Sequence, residues 1–138
     1  MANQIELLLD LDDKEFNKEK TKDIEIKRLS DKTKKPFFIT IKSLSPERIY
    51  ELQDKSYDKN GNVVMGKFYD GALNGCSEAI VSPDFNDTRL KHKLGLSDTA
   101  LKKDVLMRVF KVNEINEINS EIMDISGFNK DVGEEIKN

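Results

Sequence analysis

The chain is poor in the residue types that build most catalytic and metal sites. Its 138 residues include one cysteine, one histidine and no tryptophan. One cysteine cannot form a disulfide within the chain, and one cysteine with one histidine cannot complete a zinc site of four nitrogen or sulfur ligands. Neither a glycine-rich phosphate loop nor a GxSxG nucleophile motif occurs. The sequence therefore predicts a protein that is not an enzyme and holds no cofactor or metal.

Long apolar runs and a strong excess of one charge are also lacking. Lys and Arg total 23 and Asp and Glu total 26, a net charge of −3, which provides little field for binding a nucleic acid. No segment approaches the roughly 20 apolar residues of a membrane span. The N-terminus lacks the basic region of a signal peptide. We expect a cytoplasmic protein whose partners include neither a nucleic acid nor a membrane.

Charged residues are abundant, at 36% of a chain that has the length of one small domain. The patterning predicts an α+β fold: a mostly α-helical single domain with an N-terminal antiparallel β-hairpin. We divide the chain into an N-terminal arm (1–22), the hairpin (23–42), a helical body (45–127) and a C-terminal tail (128–138).

The hairpin prediction rests on two segments with a period of two. Ile24 and Ile26 alternate with charged residues, and Ile39 and Ile41 alternate with Thr40 and Lys42. We expect strands over 23–29 and 37–42, joined by a basic loop over 30–36.

Helix signals follow from Ser45, which precedes Pro46 as a cap. Gly71 and Gly75 lie four residues apart inside a predicted helix, which indicates close approach of a neighbouring helix. The helix capped near Ser97 has the widest apolar face and is expected to be central. The helices are predicted over 46–56, 67–81, 87–94 and 97–112, with a last one that restarts at Asn113 and ends before Gly127.

Two apolar segments are candidate partner-binding sites. The first is the arm, whose apolar side chains stand among charged ones; it either packs on its own domain or orders on a partner. The second is the last helix, whose isoleucines recur at intervals of three, four and three; they form either core or a subunit seam, which leaves self-association open. The candidates are Leu7, Leu8, Leu9, Leu11 and Phe16 in the arm and Ile115, Ile118 and Ile122 in the helix.

The remaining reactive and charged groups give weaker signals. Cys76 lies on an apolar helix face, which favours a buried structural thiol over a reactive one. His92 belongs to a basic cluster over 89–93, and a second basic cluster spans 32–35. No aromatics interleave with either cluster, so they serve solubility or meet an acidic protein surface.

The order of motifs in the C-terminal half resembles a known family. The segments that carry the resemblance are Val81-Ser82-Pro83-Asp84, a short helix with Leu90, Leu94-Gly95-Leu96, the restart at Glu114-Ile115, Ile125-Ser126-Gly127-Phe128 and the terminal Ile136-Lys137-Asn138. In this order they resemble the XkdN-like tail assembly chaperones of Gram-positive prophages and phage-derived contractile tail particles.

The resemblance implies a function that needs no active site. It implies a chaperone that binds and solubilises the tape measure protein, helps recruit tail tube subunits, and is absent from the mature particle. The alternative is a structural tail component, tube-associated or a completion protein, that is retained in the particle.

Overall fold

The computed structural model describes residues 3–17 and 19–128. Within them lie eight helices and one three-stranded sheet, so the predicted α+β class is confirmed. The elements, in chain order, are α1 (Gln4–Leu9), α2 (Lys14–Asn17), β1 (Thr21–Glu25), α3 (Lys27–Thr33), β2 (Phe38–Lys42), α4 (Pro46–Asp54), α5 (Met65–Ala79), β3 (Ile80–Ser82), α6 (Thr88–Lys93), α7 (Lys102–Val109) and α8 (Val112–Ile125).

The predicted pairing of the first two strands is present, but the connection between them is not a loop. β1 runs antiparallel to β2, with Ile24 opposite Ile39. α3 replaces the end of the expected first strand and residues 30–33 of the expected loop. Leu29 on α3 packs against the core, and Lys34 ends the helix in the left-handed conformation at φ 58°. Core packing on one face explains why a turn-rich sequence is helical here.

A third strand was not predicted. The helix expected over 67–81 ends at Ala79, and Ile80–Ser82 continues as β3, antiparallel to β2 on the side away from β1. Ile80 and Val81 are β-branched, and Ser82 precedes Pro83. β-branching favours a strand, and a residue before proline is disfavoured in the helical region. These two local effects turn the chain from helix to strand.

Most of the predicted helix boundaries hold. The Ser45 Oγ accepts a hydrogen bond from Arg48 N at 3.2 Å, and Asp87 Oδ1 accepts one from Arg89 N at 2.8 Å, as expected of N-terminal caps. Gly127 follows α8 with a positive φ of 92°. The helix expected from Ser97 begins only at Lys102.

The core lies between the sheet and α5, α7 and α8. α5 is the central helix, since it packs against α4, α7, α8 and β3; the expectation that the helix after Ser97 is central is wrong. A Cβ on Gly71 would lie 3.0 Å from Leu52 O of α4, and one on Gly75 would lie 3.2 Å from Asn119 Oδ1 of α8. The predicted close approach at both glycines is therefore confirmed. The fully buried residues include Ile39, Ile41, Leu73, Cys76, Ala79, Ile80, Val105, Leu106, Ile115, Ile118 and Ile122.

Candidate partner-binding site

The arm forms two short helices that leave its apolar side chains exposed to solvent. Asn3 caps α1: its Oδ1 accepts a hydrogen bond from Glu6 N at 2.9 Å, and Asn3 N donates back to the Glu6 carboxylate. No residue of α1 is buried. The large apolar side chains of the arm are 48–75% exposed, and they are Ile5, Leu7, Leu8, Leu9, Leu11 and Phe16.

The arm is attached to the body at one end of the sheet. Lys20 N donates to Ser43 Oγ at 3.0 Å, and Ser43 N donates to Lys20 O at 2.8 Å. β1 begins at Thr21, two residues earlier than the hairpin was expected to start. The leucines thus lie outside the domain's core, joined to it through Lys20, and they are accessible to another molecule.

The isoleucine candidates have a different position. Ile115, Ile118 and Ile122 are 0–1% exposed and belong to the core between α8, α5 and the sheet. The hypothesis that these three side chains form a partner-binding surface or a subunit seam is therefore wrong for this conformation, because a buried side chain offers no contact area to a partner. The open choice between core and seam resolves to core.

The cysteine is buried in the core, and the histidine lies on the surface. Burial raises the pKa of the Cys76 thiol to about 12, and its Sγ lies 3.7 Å from Ile115 O. His92 is exposed and pairs with Asp98 through Nε2. Within the described ranges, 3–17 and 19–128, no group of three or more His, Cys, Asp or Glu side chains could hold a metal ion.

A groove that sequence reasoning missed lies between α3 and α6. It has a volume of about 490 Å³. Its apolar lining comes from five separate parts of the chain, and no local sequence signal marks such a convergence. The apolar residues that line it are Leu29, Phe37, Pro83, Phe85, Leu90 and Val109.

The floor of the groove is anchored in the core. The Phe85 ring is 2% exposed and meets the Phe110 ring edge to face, with 5.6 Å between centroids. Leu29, Leu90 and Val109 are half-buried and pack against the same core. The side chains that line the groove therefore pack against the core, whereas those of the arm do not.

Charged side chains line the rim of the groove. Hydrogen bonds from Arg89 lower the pKa of the Asp87 carboxyl to about 2, so this pair is ionised together at neutral pH. Lys93 and Asp84 also line the rim. Of the two basic clusters that the sequence indicated, the one over 89–93 reaches the rim through Arg89 and Lys93, whereas the one over 32–35 contributes only Thr33 to the lining.

A polar anchor fixes α3 beside the end of α7. The Arg28 guanidinium donates to the Glu114 carboxylate of α8 at 2.9–3.2 Å and to Val109 O at 2.7 Å. Burial acts to raise the pKa of Glu114, but the hydrogen bonds from Arg28 and from Lys111 N outweigh it, and the pKa is lowered. One groove wall is thus tied to the core by an ion pair.

Comparison with known families decides the class of protein. The model of the phage XkdN-like tail assembly chaperone family matches residues 5–138. The chain belongs to the phage XkdN-like tail assembly chaperones. The resemblance found in the sequence is therefore confirmed, and this family is one of chaperones rather than of enzymes.

Among solved structures, the crystal structure of the protein yqbn is similar to this chaperone. The two share 23% sequence identity over 79% of this chain and 87% of that one, with a TM-score of 0.47. No curated protein matches the chain.

Two further points concern membrane spans and the C-terminal tail. No helix within residues 3–17 and 19–128 is long and apolar enough to cross a membrane. The predicted C-terminal tail, apart from Phe128, lies outside the described residues, as do the terminal Ile136, Lys137 and Asn138 of the resemblance.

Proposed function

We propose that this family member acts in the host cytoplasm as a tail assembly chaperone that binds the tape measure protein through its N-terminal arm and keeps it soluble. The observation that carries the proposal is the exposure of the large apolar side chains of the arm within residues 3–17. Exposed apolar groups beside a folded domain mark a protein-interaction site.

The form of the arm suits reversible binding. α1 has six residues and is too short to be a stable helix in isolation. Packing against a partner helix would therefore stabilise its helical conformation. Ordering on a partner lowers the affinity per contact and keeps the complex releasable. A chaperone that leaves before the particle matures needs that property. On this proposal it also helps recruit tail tube subunits and is absent from the finished particle.

Solubility of the tape measure protein on co-expression tests the arm. Leu8→Asp with Leu11→Asp changes two exposed side chains and leaves the core untouched. We expect the soluble yield of the tape measure protein to fall towards that of the protein expressed alone. Met65→Asp is the matched control, because Met65 is 73% exposed on the body and should leave the yield unchanged.

Three results would contradict this assignment. Undiminished solubilisation by the arm variant would place client binding elsewhere on the chaperone. An equal loss with Met65→Asp would point to a general loss of solubility. Retention of the chain in purified particles, scored by mass spectrometry, would favour the structural tail component that the sequence left open.

A further inference from the structure

The sequence contains Asn-Gly twice, at residues 60–61 and 74–75, and the structure places the two pairs in contrasting surroundings. Asparagine followed by glycine is prone to deamidation, because glycine has no Cβ that hinders the attack of its nitrogen on the side-chain amide. The rate at each pair depends on how freely the backbone moves there. Neither pair belongs to the arm or lines the groove between α3 and α6.

The first pair lies in an exposed turn. Asn60 and Gly61 belong to the segment between α4 and α5, and every residue over 57–63 is exposed. Apart from its chain neighbours, no described residue comes within 4 Å of the position that a Cβ on Gly61 would take. Gly61 N donates to Asp58 O at 3.1 Å, and Asp58 N donates to Asn62 O at 2.9 Å. Hydrogen bonds of an exposed turn open at little cost in free energy, so the Gly61 nitrogen becomes available for reaction.

The second pair lies inside the central helix. Asn74 and Gly75 belong to α5, and Gly75 is buried against α8, where Asn119 Oδ1 lies 3.2 Å from the position of a Cβ. Within an α-helix the Gly75 N–H donates to the carbonyl four residues earlier, that of Gly71. To free this nitrogen, a helix of the core must open, which costs a large part of the free energy of unfolding.

We propose that Asn60 is a deamidation site of the folded chain and that Asn74 is not. The Gly61 nitrogen gives its proton to hydroxide and forms a bond to Asn60 Cγ. The bond between Cγ and Nδ2 breaks, and the amide nitrogen leaves as ammonia with a proton taken from water. The product is a five-membered succinimide. Water then opens this ring either at Cγ, which gives aspartate, or at the main-chain carbonyl carbon, which gives isoaspartate.

Both products alter the turn. Each adds one negative charge to a chain whose net charge is −3. Isoaspartate also carries the main chain through Cγ, which inserts one carbon atom before Gly61. The hydrogen bond from Gly61 N to Asp58 O then loses its geometry, within a turn that the β-bridge between Tyr57 and Val63 closes. The product is a more acidic form of the chain with a changed connection between α4 and α5.

Incubation of the purified full chain at mildly alkaline pH, followed by peptide mapping with mass spectrometry, tests the proposal. Trypsin cleaves after Lys67, so positions 60 and 74 fall in different peptides, and fragmentation assigns the mass gain to a residue. We expect position 60 to deamidate at least about tenfold faster than position 74. The rate at position 60 should rise with pH, because the attacking nitrogen must lose its proton. Isoaspartyl methyltransferase with labelled S-adenosylmethionine measures the isoaspartate product.

Two matched substitutions and a denatured control make the test specific. Asn60→Gln should remove most of the mass gain, because glutamine would have to close a six-membered ring, which forms far more slowly. Asn74→Gln should leave the mass gain unchanged. Urea removes the difference between the two surroundings, so both Asn-Gly pairs should then deamidate at similar rates.

Three outcomes would overturn the proposal. Equal rates at positions 60 and 74 in the folded chain would mean that the fold does not select between the two pairs. A position 60 that reacts only in urea would show that the turn stays closed. A mass gain that survives Asn60→Gln would assign the reaction to another asparagine. None of these results depends on client binding, so this inference and the proposed function fail independently.

Discussion

The arm and α8 are both apolar segments with charged neighbours, but they differ in the burial of their apolar side chains. The leucines of the arm are exposed, whereas Ile115, Ile118 and Ile122 are buried. The isoleucines share one helical face because they recur at intervals of three and four. Leu7, Leu8 and Leu9 are consecutive, so they point in different directions around a six-residue helix. Periodicity and length, rather than apolar content, decide which segment enters the core.

The largest expected effect comes from shortening one apolar side chain in each of these two regions. Ile118→Ala removes a fully buried side chain and should lower the free energy of unfolding by about 2–5 kcal/mol. Leu8→Ala, at an exposed position, should change it by less than about 0.5 kcal/mol. Urea denaturation followed by circular dichroism measures both. Equal losses would mean that the arm belongs to the cooperative core.

The second effect concerns the polar anchor that holds α3 against the core. Glu114→Gln removes the charge that accepts from Arg28 and leaves a part-buried guanidinium without its counterion, which should cost about 1–3 kcal/mol. Glu121→Gln breaks the ion pair between Glu121 and Lys22. Both of these side chains are exposed, so the free energy of unfolding should change little. If the two variants unfold at the same urea concentration, the Arg28 pair is no stronger than a surface pair.

The same carboxylate gives a pH dependence with a defined sign. The pKa of Glu114 is lower in the folded chain than its ordinary value of 4.5, so folding favours the ionised form. Its contribution is complete above the unfolded pKa and is lost as the pH falls through the folded pKa. The stability difference between wild type and Glu114→Gln should therefore be largest near neutral pH and shrink below about pH 4.5. A difference that grows on acidification would contradict this cause.

Much of the body could be predicted because its signals are local. Ser45 and Asp87 cap the helices that follow them, and the alternation in β1 and β2 indicated their pairing. The strand at Ile80–Ser82 was missed because three residues are too few for a period to show. The helix at 27–33 was missed because its stability comes from tertiary contacts: Leu29 packs against the core, and Arg28 pairs with Glu114, 86 positions away.

The candidate partner-binding surfaces could be predicted from the sequence only in part. The arm's leucines could be found in the sequence because they are contiguous. Ile115, Ile118 and Ile122 were chosen as binding residues because a core face and a docking face have the same period, and in this structure they are buried in the core. The groove could not be predicted, because Phe37, Leu90 and Val109 belong to segments far apart in the chain that only the fold brings together.

A fourth prediction compares two glycines of α5. Gly71→Ala places a methyl group 3.0 Å from Leu52 O, a backbone atom that cannot move aside easily, and we expect a loss of about 1–2 kcal/mol despite alanine's better helix propensity. Gly66→Ala, in the same helix with nothing within 4 Å, should be neutral or slightly stabilising. Thermal unfolding of the two variants measures the difference, and equal melting temperatures would show that α4 yields to the added methyl.

The smallest effect is expected at Cys76, on the face of α5 that meets α8. Cys76→Ser replaces a buried thiol by a hydroxyl and should cost about 1 kcal/mol without abolishing client binding, because the thiol has no activating base.

Burial raises the pKa of Cys76 to about 12, so alkylation of the folded chain at neutral pH should be far slower than in urea. The chain has one thiol, so the labelling is unambiguous. Rapid alkylation under native conditions would show that the α5–α8 face opens, and that the isoleucines beside it are reachable by a partner after all.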